Sequence, residues 1–316
     1  MSNVAMKAMR DALIEGVYRR MQDDRRIFFL SADMGAPVLD KLRADFRDRF
    51  INIGIAEQNL INVATGLALE GFVVYAYAIA PFVLRAYEQI RINLALSSQI
   101  RQLNVNIVGT GAGVSYDVSG PTHHCLEDLS VMRTLPNIVV CSPSDSCLAQ
   151  LFVDYSIHTK KPKYIRLDGK PLPFIYNESM APSFEKGFYE LVKGDKACIV
   201  SSGYMTHMAL EISKEIEDKS IGVVDIFTIK PIDEMSLFEI LKSYKTVITL
   251  EEGFIGKGGL DSLVLCLLND LQADVRVKRF GFKDEYLFKV GSRDFLHNQS
   301  GFDKKSVRDW ILNECL

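Results

Sequence analysis

The chain has 316 residues, roughly two average domains in length, and this predicts two domains. Hydrophobic residues make up 48% and charged residues 24%, values that are typical of a globular protein. Lys plus Arg is 37 and Asp plus Glu is 40, so the formal charge is −3. This near balance disfavours nucleic-acid and membrane-surface binding, which normally require a basic excess.

The cysteines and the first residues of the chain bear on its compartment. Six cysteines are present without a CxxC pair, which disfavours a zinc site. Their placement within apolar runs predicts free thiols in a reducing compartment. The first seven residues contain no apolar signal core, and no run approaches the roughly 20 apolar residues of a membrane span. We therefore expect a cytoplasmic protein with no membrane and no nucleic-acid partner.

Short β-branched runs alternate with longer amphipathic segments along the whole chain. The predicted strands are Ile27–Leu30, Phe72–Ala76, Val105–Gly109, Ile138–Ser142, Ala197–Ser202, Gly222–Ile226, Val247–Leu250 and Val275–Lys278. The predicted helices are Val4–Met21, Glu57–Leu69, Phe82–Leu96, Asp145–His158 and Met205–Glu217. Such alternation is typical of βαβ units. It predicts an α/β fold with mainly parallel sheets flanked by helices.

Prolines mark a linker in the middle of the chain. Four prolines fall between Pro162 and Pro182, beside two glycines. Proline interrupts both helices and central strands, so this stretch is predicted to connect two domains. The expected division is residues 1–168 for the first domain, 169–186 for the linker and 187–316 for the second domain.

The first segment that contains a candidate functional residue is residues 51–60. A strand-like run meets Gly54, and Glu57 then falls in the first turn of an apolar helix. The partial positive charge of a helix N-terminus favours a carboxylate by about 0.3–1 kcal/mol. Taken alone, Glu57 is therefore interpreted as a helix-capping residue.

The second segment is residues 77–91. Phe82, Arg85 and Gln89 have the i, i+3, i+7 spacing of one helical face. An aromatic ring, a cation and an amide on one face could hold a flat heteroaromatic ring. The alternative is a helix that packs through Phe82 and Tyr87 and leaves its arginines in solvent.

The third segment is residues 109–129. Glycines follow a predicted strand at Gly109, Gly111 and Gly113, where loops of parallel sheets form binding edges. His123 and His124 lie in a Gly-Pro turn, so at least one is expected to be exposed. Adjacent histidines in such a loop favour proton transfer or substrate contact. A metal site is disfavoured because no third ligand lies at a suitable spacing.

In this order, the three segments resemble the transketolase family of thiamine diphosphate enzymes. The matching stretches are Gly54–Asn59, Arg85–Arg91, Gly120–His123, Glu127–Leu129, Pro136–Ile138, Ser142–Asp145, Val224–Asp233 and Glu251–Leu260. They extend over nearly the whole chain. The resemblance implies a pyrimidine-binding domain followed by a transketolase C-terminal domain.

The resemblance also implies roles in cofactor binding. The family's glutamate at the position of Glu57 hydrogen-bonds the aminopyrimidine ring and promotes its imino tautomer, which makes Glu57 a catalytic residue. A carboxyl group suits this role in a dry pocket, where its hydrogen bond is stronger. Phe82 matches an aromatic residue packed against the ring, and Arg85 lies one turn further along. Asp33 matches an acidic residue near the cofactor.

For the substrate, the resemblance implies three residues. His123 matches a catalytic histidine that contacts the donor sugar and stabilises charge on its oxygens. Arg10 and Arg166 match two arginines that hold a sugar phosphate, a task suited to the planar guanidinium fork. For both arginines the alternative is a surface salt bridge.

This sequence departs from the family pattern at the substrate site. Pro37 and Gly111 replace a serine and a histidine of the phosphate site, and Ser119 replaces an aspartate that reads acceptor stereochemistry. Ile79 stands where many members have a second aromatic residue against the pyrimidine. The acceptor, and recognition of its phosphate, are therefore expected to differ.

A further departure concerns the diphosphate. Full-length transketolases bind diphosphate and magnesium through a Gly-Asp-Gly motif, which this sequence does not contain. The resemblance therefore implies the C-terminal subunit of a split transketolase. A diphosphate-domain subunit is expected to supply the Mg²⁺ ligands in an α2β2 heterotetramer, and the isolated chain is expected to be inactive.

The implied reaction transfers a two-carbon ketol unit from a ketose or ketose phosphate donor to an aldose acceptor through a thiamine diphosphate enamine. The alternatives are a 2-oxo-acid dehydrogenase decarboxylase beta subunit, a deoxyxylulose-phosphate-synthase-like enzyme and a non-catalytic partner subunit. The Gly120–His123 stretch disfavours the decarboxylase subunit, and the joint presence of Glu57, Phe82 and His123 disfavours a non-catalytic role.

The second domain carries one further motif, Gly256-Lys257-Gly258-Gly259, which precedes a helix. Helix N-termini bind anions, so the motif could hold one. The other interpretation, which we favour, is a tight turn.

Overall fold

The structure is a computed structural model that describes residues 6–177, 179–216 and 220–316. Its internal contacts divide the chain into two compact units. The first unit contains the described residues up to Ala112, with Thr134–Cys141 and Asp145–Asn177; the second contains Gly113–Arg133, Ser142–Ser144 and the described residues from 179 to Leu316. Because this division is discontinuous in sequence, the expected boundaries at residues 168 and 187 stay a prediction.

Strands and helices alternate in the described residues. The strands are β1 Met6–Lys7, β2 Ile27–Ser31, β3 Phe50–Asn52, β4 Val73–Ile79, β5 Val105–Thr110, β6 Val139–Cys141, β7 Lys163–Leu167, β8 Leu172–Pro173, β9 Phe188–Val192, β10 Ala197–Ser201, β11 Ile221–Ile226, β12 Thr228–Lys230, β13 Thr246–Phe254 and β14 Arg276–Phe282. The helices are α1 Met9–Asp23, α2 Pro37–Asp45, α3 Glu57–Leu69, α4 Ala80–Val83, α5 Tyr87–Gln89, α6 Asp128–Arg133, α7 Ser146–His158, α8 Met205–Glu215, α9 Glu234–Leu241, α10 Leu260–Asp270, α11 Arg293–Gln299 and α12 Lys304–Glu314.

The first unit is built on a parallel sheet. Its strands lie in the order β6-β7-β5-β4-β2-β3, and all of these neighbours pair in parallel. The central strands β4 and β5 are almost wholly buried, as expected for a parallel sheet covered on both faces. Separately, β1 pairs with β8 in antiparallel fashion.

The second unit has a five-stranded sheet in the order β14-β13-β10-β11-β9. Three of its strand pairs are parallel, and β9 is antiparallel to β11. The core packs apolar side chains of these strands against helices α8, α11 and α12. The two sheets confirm the predicted α/β fold with mainly parallel sheets flanked by helices. Among the described residues, no helix combines the length and apolar character that a membrane span requires.

Two of the predicted helices differ from the structure. The helix predicted from Val4 begins only at Met9, because Met6 and Lys7 form β1 and pair with β8. Helix α3 has the predicted bounds, and Asp145 is the N-cap of α7. The predicted helix Phe82–Leu96 is irregular instead, because Ala86 adopts φ −97° and ψ 18°, and a 3₁₀ turn and a π-helical stretch flank α5. Residues 4–5 and Glu217 of two predicted helices lie outside the described residues.

Candidate active site

The predicted cofactor residues follow the carboxyl ends of adjacent parallel strands in the first unit. Asp33 comes two residues after β2, and Glu57 five residues after β3. Phe82 lies in α4, which begins directly after β4. Ligands of open parallel sheets bind at this edge, where successive loops converge. The topology therefore brings these three loops to one edge of one sheet.

Glu57 is a buried carboxylate at the start of a helix. It is the first residue of α3, whose N-cap Ala56 provides no side-chain hydrogen bond. Its side chain is 4% exposed, and its Oε2 atom has no hydrogen-bond partner among the described residues. Buried carboxylate oxygens are normally hydrogen-bonded. This oxygen is thus available to a donor group on a ligand, and it fits the pyrimidine ring that the family resemblance implies.

Arg85 lies beside this carboxylate. Its Nη1 atom is 3.7 Å from Glu57 Oε2, and its own side chain is 65% exposed. The Arg85 carbonyl accepts a hydrogen bond from Gln58 Nε2 at 3.4 Å, which ties the segment after β4 to the start of α3. Phe82, one turn earlier, is half-buried. The structure therefore brings Glu57 and Arg85 together.

Asp33 is held by Asn52, which is not among the site residues predicted from the sequence. Asn52 Nδ2 donates to Asp33 Oδ1 at 2.8 Å, while Asn52 Oδ1 accepts from the backbone of Asp33 at 3.0 Å and of Gly54 at 3.1 Å. Asp33 has φ +54°, a left-handed conformation that non-glycine residues adopt only under constraint. Asn52 thus fixes the loops after β2 and β3. The strand-like run before Gly54 includes Asn52, but no sequence signal marked this residue, because its partner Asp33 lies in a different loop.

The two predicted phosphate ligands have different surroundings. Arg10 is a half-buried residue of α1 whose Nε donates to Asp11 at 2.8 Å. Arg166 is buried in β7, opposite Gly109 in the register with β5 and one residue before the carboxyl end of the strand. Their role with a phosphate stays a prediction.

His123 and the loop around it belong to the second unit. The ring is half-buried, its Nδ1 lies 3.0 Å from the Thr122 hydroxyl, and it meets the ring of Tyr116 edge-on. His124 is buried, and burial lowers the pKa of its imidazole. Of the two adjacent histidines, His123 is therefore the more exposed one.

The Gly256–Gly259 motif forms a turn before α10, and a side chain of the protein itself already occupies the N-terminus of this helix. The carboxylate of Glu251 accepts from the backbone of Leu260 at 2.9 Å and of Asp261 at 3.0 Å, the first two residues of α10. A carboxylate of the chain itself thus satisfies the N–H groups that an external anion would need. The tight-turn interpretation is supported.

Taken together, the chain is an α/β protein with a buried carboxylate, that of Glu57, near the carboxyl edge of a parallel sheet. The transketolase pyrimidine binding domain model matches residues 5–173, and the transketolase C-terminal domain model matches residues 188–307. The chain therefore belongs to the transketolase family, whose members depend on thiamine diphosphate. This confirms the resemblance seen in the sequence motifs.

Several relatives have comparable or greater length. One of the subunits of the apulose-4-phosphate transketolase of Actinobacillus succinogenes is 35% identical over 85% of this chain and 86% of its own. A solved split gene transketolase, described as an inactive beta4 tetramer, is 32% identical with a TM-score of 0.85, and 97% of each chain is covered. The 1-deoxy-D-xylulose-5-phosphate synthase of Caldanaerobacter subterraneus is 34% identical over 84% of this chain but only 42% of its own.

Proposed function

We propose that this chain is the C-terminal subunit of a cytoplasmic two-chain transketolase that transfers a two-carbon ketol unit from a ketose donor to an aldose acceptor. The observation that carries the proposal is the buried Glu57, whose Oε2 has no hydrogen-bond partner among the described residues. The sequence similarity to one subunit of an apulose-4-phosphate transketolase and to a split gene transketolase, each of nearly this length, supports the two-chain organisation.

The residues at the sheet edge fit the cofactor of the family. When bound, thiamine diphosphate supplies a nucleophilic thiazolium carbon. Glu57 Oε2 would hold the proton shared with a ring nitrogen of the pyrimidine, and burial strengthens such a hydrogen bond by lowering the local dielectric. Phe82 would cover the ring, and Arg85 would balance the charge of Glu57 from the solvent side.

The substrate contacts fall to His123, Arg10 and Arg166. The half-buried His123 would donate a proton or hydrogen bond to oxygens of the donor sugar. The guanidinium groups of Arg10 and Arg166 would pair with a sugar phosphate, which suits their bidentate geometry. The replacements Pro37, Gly111 and Ser119 support an acceptor different from that of the pentose-phosphate enzyme.

The diphosphate and Mg²⁺ are assigned to a partner subunit with a diphosphate-binding domain, in an α2β2 assembly. Across residues 6–177, 179–216 and 220–316 there is no group of three or more His, Cys, Asp and Glu side chains that could hold a metal ion. An octahedral Mg²⁺ bridging a diphosphate needs oxygen ligands from the protein. The partner is therefore proposed to provide them.

A second candidate is a deoxyxylulose-phosphate-synthase-like condensation. The 34% identity to such a synthase favours it, and the two reactions begin with the same cofactor. They differ in the donor, since one uses a ketose or hydroxypyruvate and the other uses pyruvate. The choice of donor therefore distinguishes them.

The test mixes this chain with its candidate diphosphate-domain subunit, thiamine diphosphate and Mg²⁺, and offers hydroxypyruvate or pyruvate with a series of aldose acceptors. We expect release of CO₂ from hydroxypyruvate and a product two carbons longer than the acceptor, identified by mass spectrometry, only when both subunits are present. Turnover by this chain alone would contradict the need for a partner. Turnover with pyruvate and glyceraldehyde 3-phosphate instead would establish the second candidate. No turnover with any donor, although the cofactor binds, would support a non-catalytic subunit.

A further inference from the structure

The segment from Gly113 to Cys125, here called the His123 loop, is closed at its base. The Gly113 amide donates to the Cys125 carbonyl at 3.1 Å, and the Cys125 amide donates to the Gly113 carbonyl at 2.8 Å. Val114, next to this base, is fully buried in the hydrophobic core of the second unit. The loop is therefore a compact unit whose base has a fixed position.

The base rests on the carboxylate of Glu252, near the end of β13. The Val114 amide donates to Glu252 Oε2 at 3.3 Å, and Glu252 is buried. Gly113 has φ +59°, and a Cβ atom at this position would lie 2.0 Å from Glu252 Oε2. Only glycine lets the backbone pass this close to the carboxylate. The contact between the loop and the carboxylate therefore depends on glycine at position 113 and on Glu252.

Two side chains of α11 hold the Glu252 carboxylate in turn. Arg293 is 5% exposed; its Nε lies 3.0 Å from Glu252 Oε1 and its Nη2 donates to Oε2 at 3.2 Å. His297, which is fully buried, has Nε2 2.7 Å from Oε1. The Arg293 guanidinium also lies over the ring of Tyr204, 3.8 Å from its centroid. A buried charge is tolerated only with such partners, so the carboxylate has one favourable orientation.

A second attachment reaches the middle of the loop. The buried Asp117 accepts a hydrogen bond from the backbone of Arg293 at 3.0 Å, at the first residue of α11. The Asp117 carbonyl lies 3.4 Å from Nε2 of the buried His124, within hydrogen-bonding distance. His124, the neighbour of His123 in the chain, is therefore held in place by Asp117. The base and the middle of the loop are both joined to α11.

We propose that Glu252 and Arg293 are positioning residues that fix the His123 loop, and through it the location of the His123 imidazole. The inference rests on the proposed function, in which His123 contacts the donor sugar. It gives β13 and α11 a part in donor recognition. Glu252 and Arg293 lie 138 and 176 positions from their hydrogen-bond partners in the loop, which is why the sequence motifs did not connect them.

The test compares Glu252→Gln with Glu251→Gln. Glu251 is the adjacent residue of β13 and is also buried, but its carboxylate accepts from the amides of Leu260 and Asp261 at the start of α10. The first readout is amide hydrogen exchange at Val114 and Cys125 in the full chain. We expect exchange roughly tenfold faster in Glu252→Gln, because the neutral amide no longer matches the charge of Arg293, and no change in Glu251→Gln.

The second readout uses the reconstituted two-chain enzyme. Glu252→Gln is expected to raise KM for the donor roughly tenfold while the affinity for thiamine diphosphate stays the same. In a double variant with His123→Ala, the effect of Glu252→Gln should disappear, because a residue that acts through His123 has nothing left to position. Independent effects that add would overturn the proposal.

Two further outcomes would overturn the proposal, and two others have a defined consequence. Wild-type exchange and wild-type donor KM in Glu252→Gln would overturn the proposal, and so would equal changes in Glu251→Gln, since these indicate general destabilisation. If Glu252→Gln does not fold, Asp117→Asn takes its place with the same readouts at the middle of the loop. If the wild-type complex shows no turnover, the proposed function fails, whereas the exchange data still support or overturn the attachment of the loop.

Discussion

Glu57 and Arg85 form an ion pair in which one partner is buried and the other faces solvent. The distance from Glu57 Oε2 to Arg85 Nη1 is 3.7 Å, and the two side chains are 4% and 65% exposed. This separation exceeds the roughly 2.7–3.2 Å of a hydrogen bond, and an exposed guanidinium is screened by water. Arg85 therefore partly neutralises Glu57 without occupying its Oε2 atom, which can still accept a hydrogen bond from a donor on a ligand.

Replacing Glu57 by Gln is expected to abolish most of the turnover. The amide has the same shape but cannot take part in proton transfer, a contribution worth about 10²- to 10⁴-fold in rate. Stability should change by less than about 1 kcal/mol, because the variant loses only the favourable interaction with the helix N-terminus and a weak ion pair with the exposed Arg85. Turnover of the reconstituted enzyme and chemical unfolding of the chain measure the two effects. Glu88→Gln, an exposed residue of α5, is the control; wild-type turnover in Glu57→Gln would refute the catalytic assignment.

Asp33 is expected to matter through its charge. Asp33→Asn tolerates the left-handed backbone and keeps an acceptor for Asn52, so unfolding should change by less than about 0.5 kcal/mol. Asp33→Ala loses both features and should destabilise the chain by about 1–2 kcal/mol. If the negative charge serves the cofactor site, Asp33→Asn weakens thiamine diphosphate binding to the complex, measured by titration calorimetry. An unchanged Kd would remove Asp33 from the cofactor residues.

Asp145 is expected to be a major determinant of stability. Its buried carboxylate caps α7 through the Leu148 amide at 2.9 Å and also accepts from the amides of Ile175 at 2.7 Å and Tyr176 at 2.8 Å. Asp145→Ala leaves these donors without a partner and should lower the free energy of unfolding by about 3 kcal/mol. Asp233→Ala removes an exposed N-cap from α9 and should cost about 1 kcal/mol. Equal losses in urea unfolding would show that burial of the cap is unimportant.

Lys163 is expected to make stability depend on pH. Its ammonium group is buried against Asn104 and the carbonyls of Thr159 and Lys161, and burial lowers the pKa of Lys163 well below its usual value. Between this lowered pKa and the unfolded value of about 10.4, the unfolded chain binds more protons than the native one. The free energy of unfolding should therefore rise with pH through that window.

The variant Lys163→Met is expected to lack this rise, because it has no proton to lose. Urea unfolding at a series of pH values up to about 10 measures the slope for each protein. Lys160→Met, which removes an exposed lysine three residues earlier, should keep the wild-type slope. Parallel curves for the wild type and Lys163→Met would show that Lys163 remains charged in the native state.

Much of the fold could be predicted from the sequence because its signals are local. The buried strands β4, β5 and β10 are continuous β-branched or apolar runs, and α3 begins where Gly54 ends one pattern and Glu57 starts another. Short elements were missed for the same reason. Three residues in β3 are too few to establish a period, and the irregular helix after Phe82 depends on a single residue, Ala86, that leaves the helical region.

The sequence by itself determined the α/β class and membership of the transketolase family, because strand and helix periods and the order of motifs are properties of consecutive residues. Only the tertiary structure decided which side chains meet. Asn52 reaches Asp33 because β2 and β3 are neighbours in register, and Glu252 reaches Val114 across 138 residues because the base of the His123 loop packs into the core beside β13. Such contacts depend on strand order and packing, which no local pattern encodes.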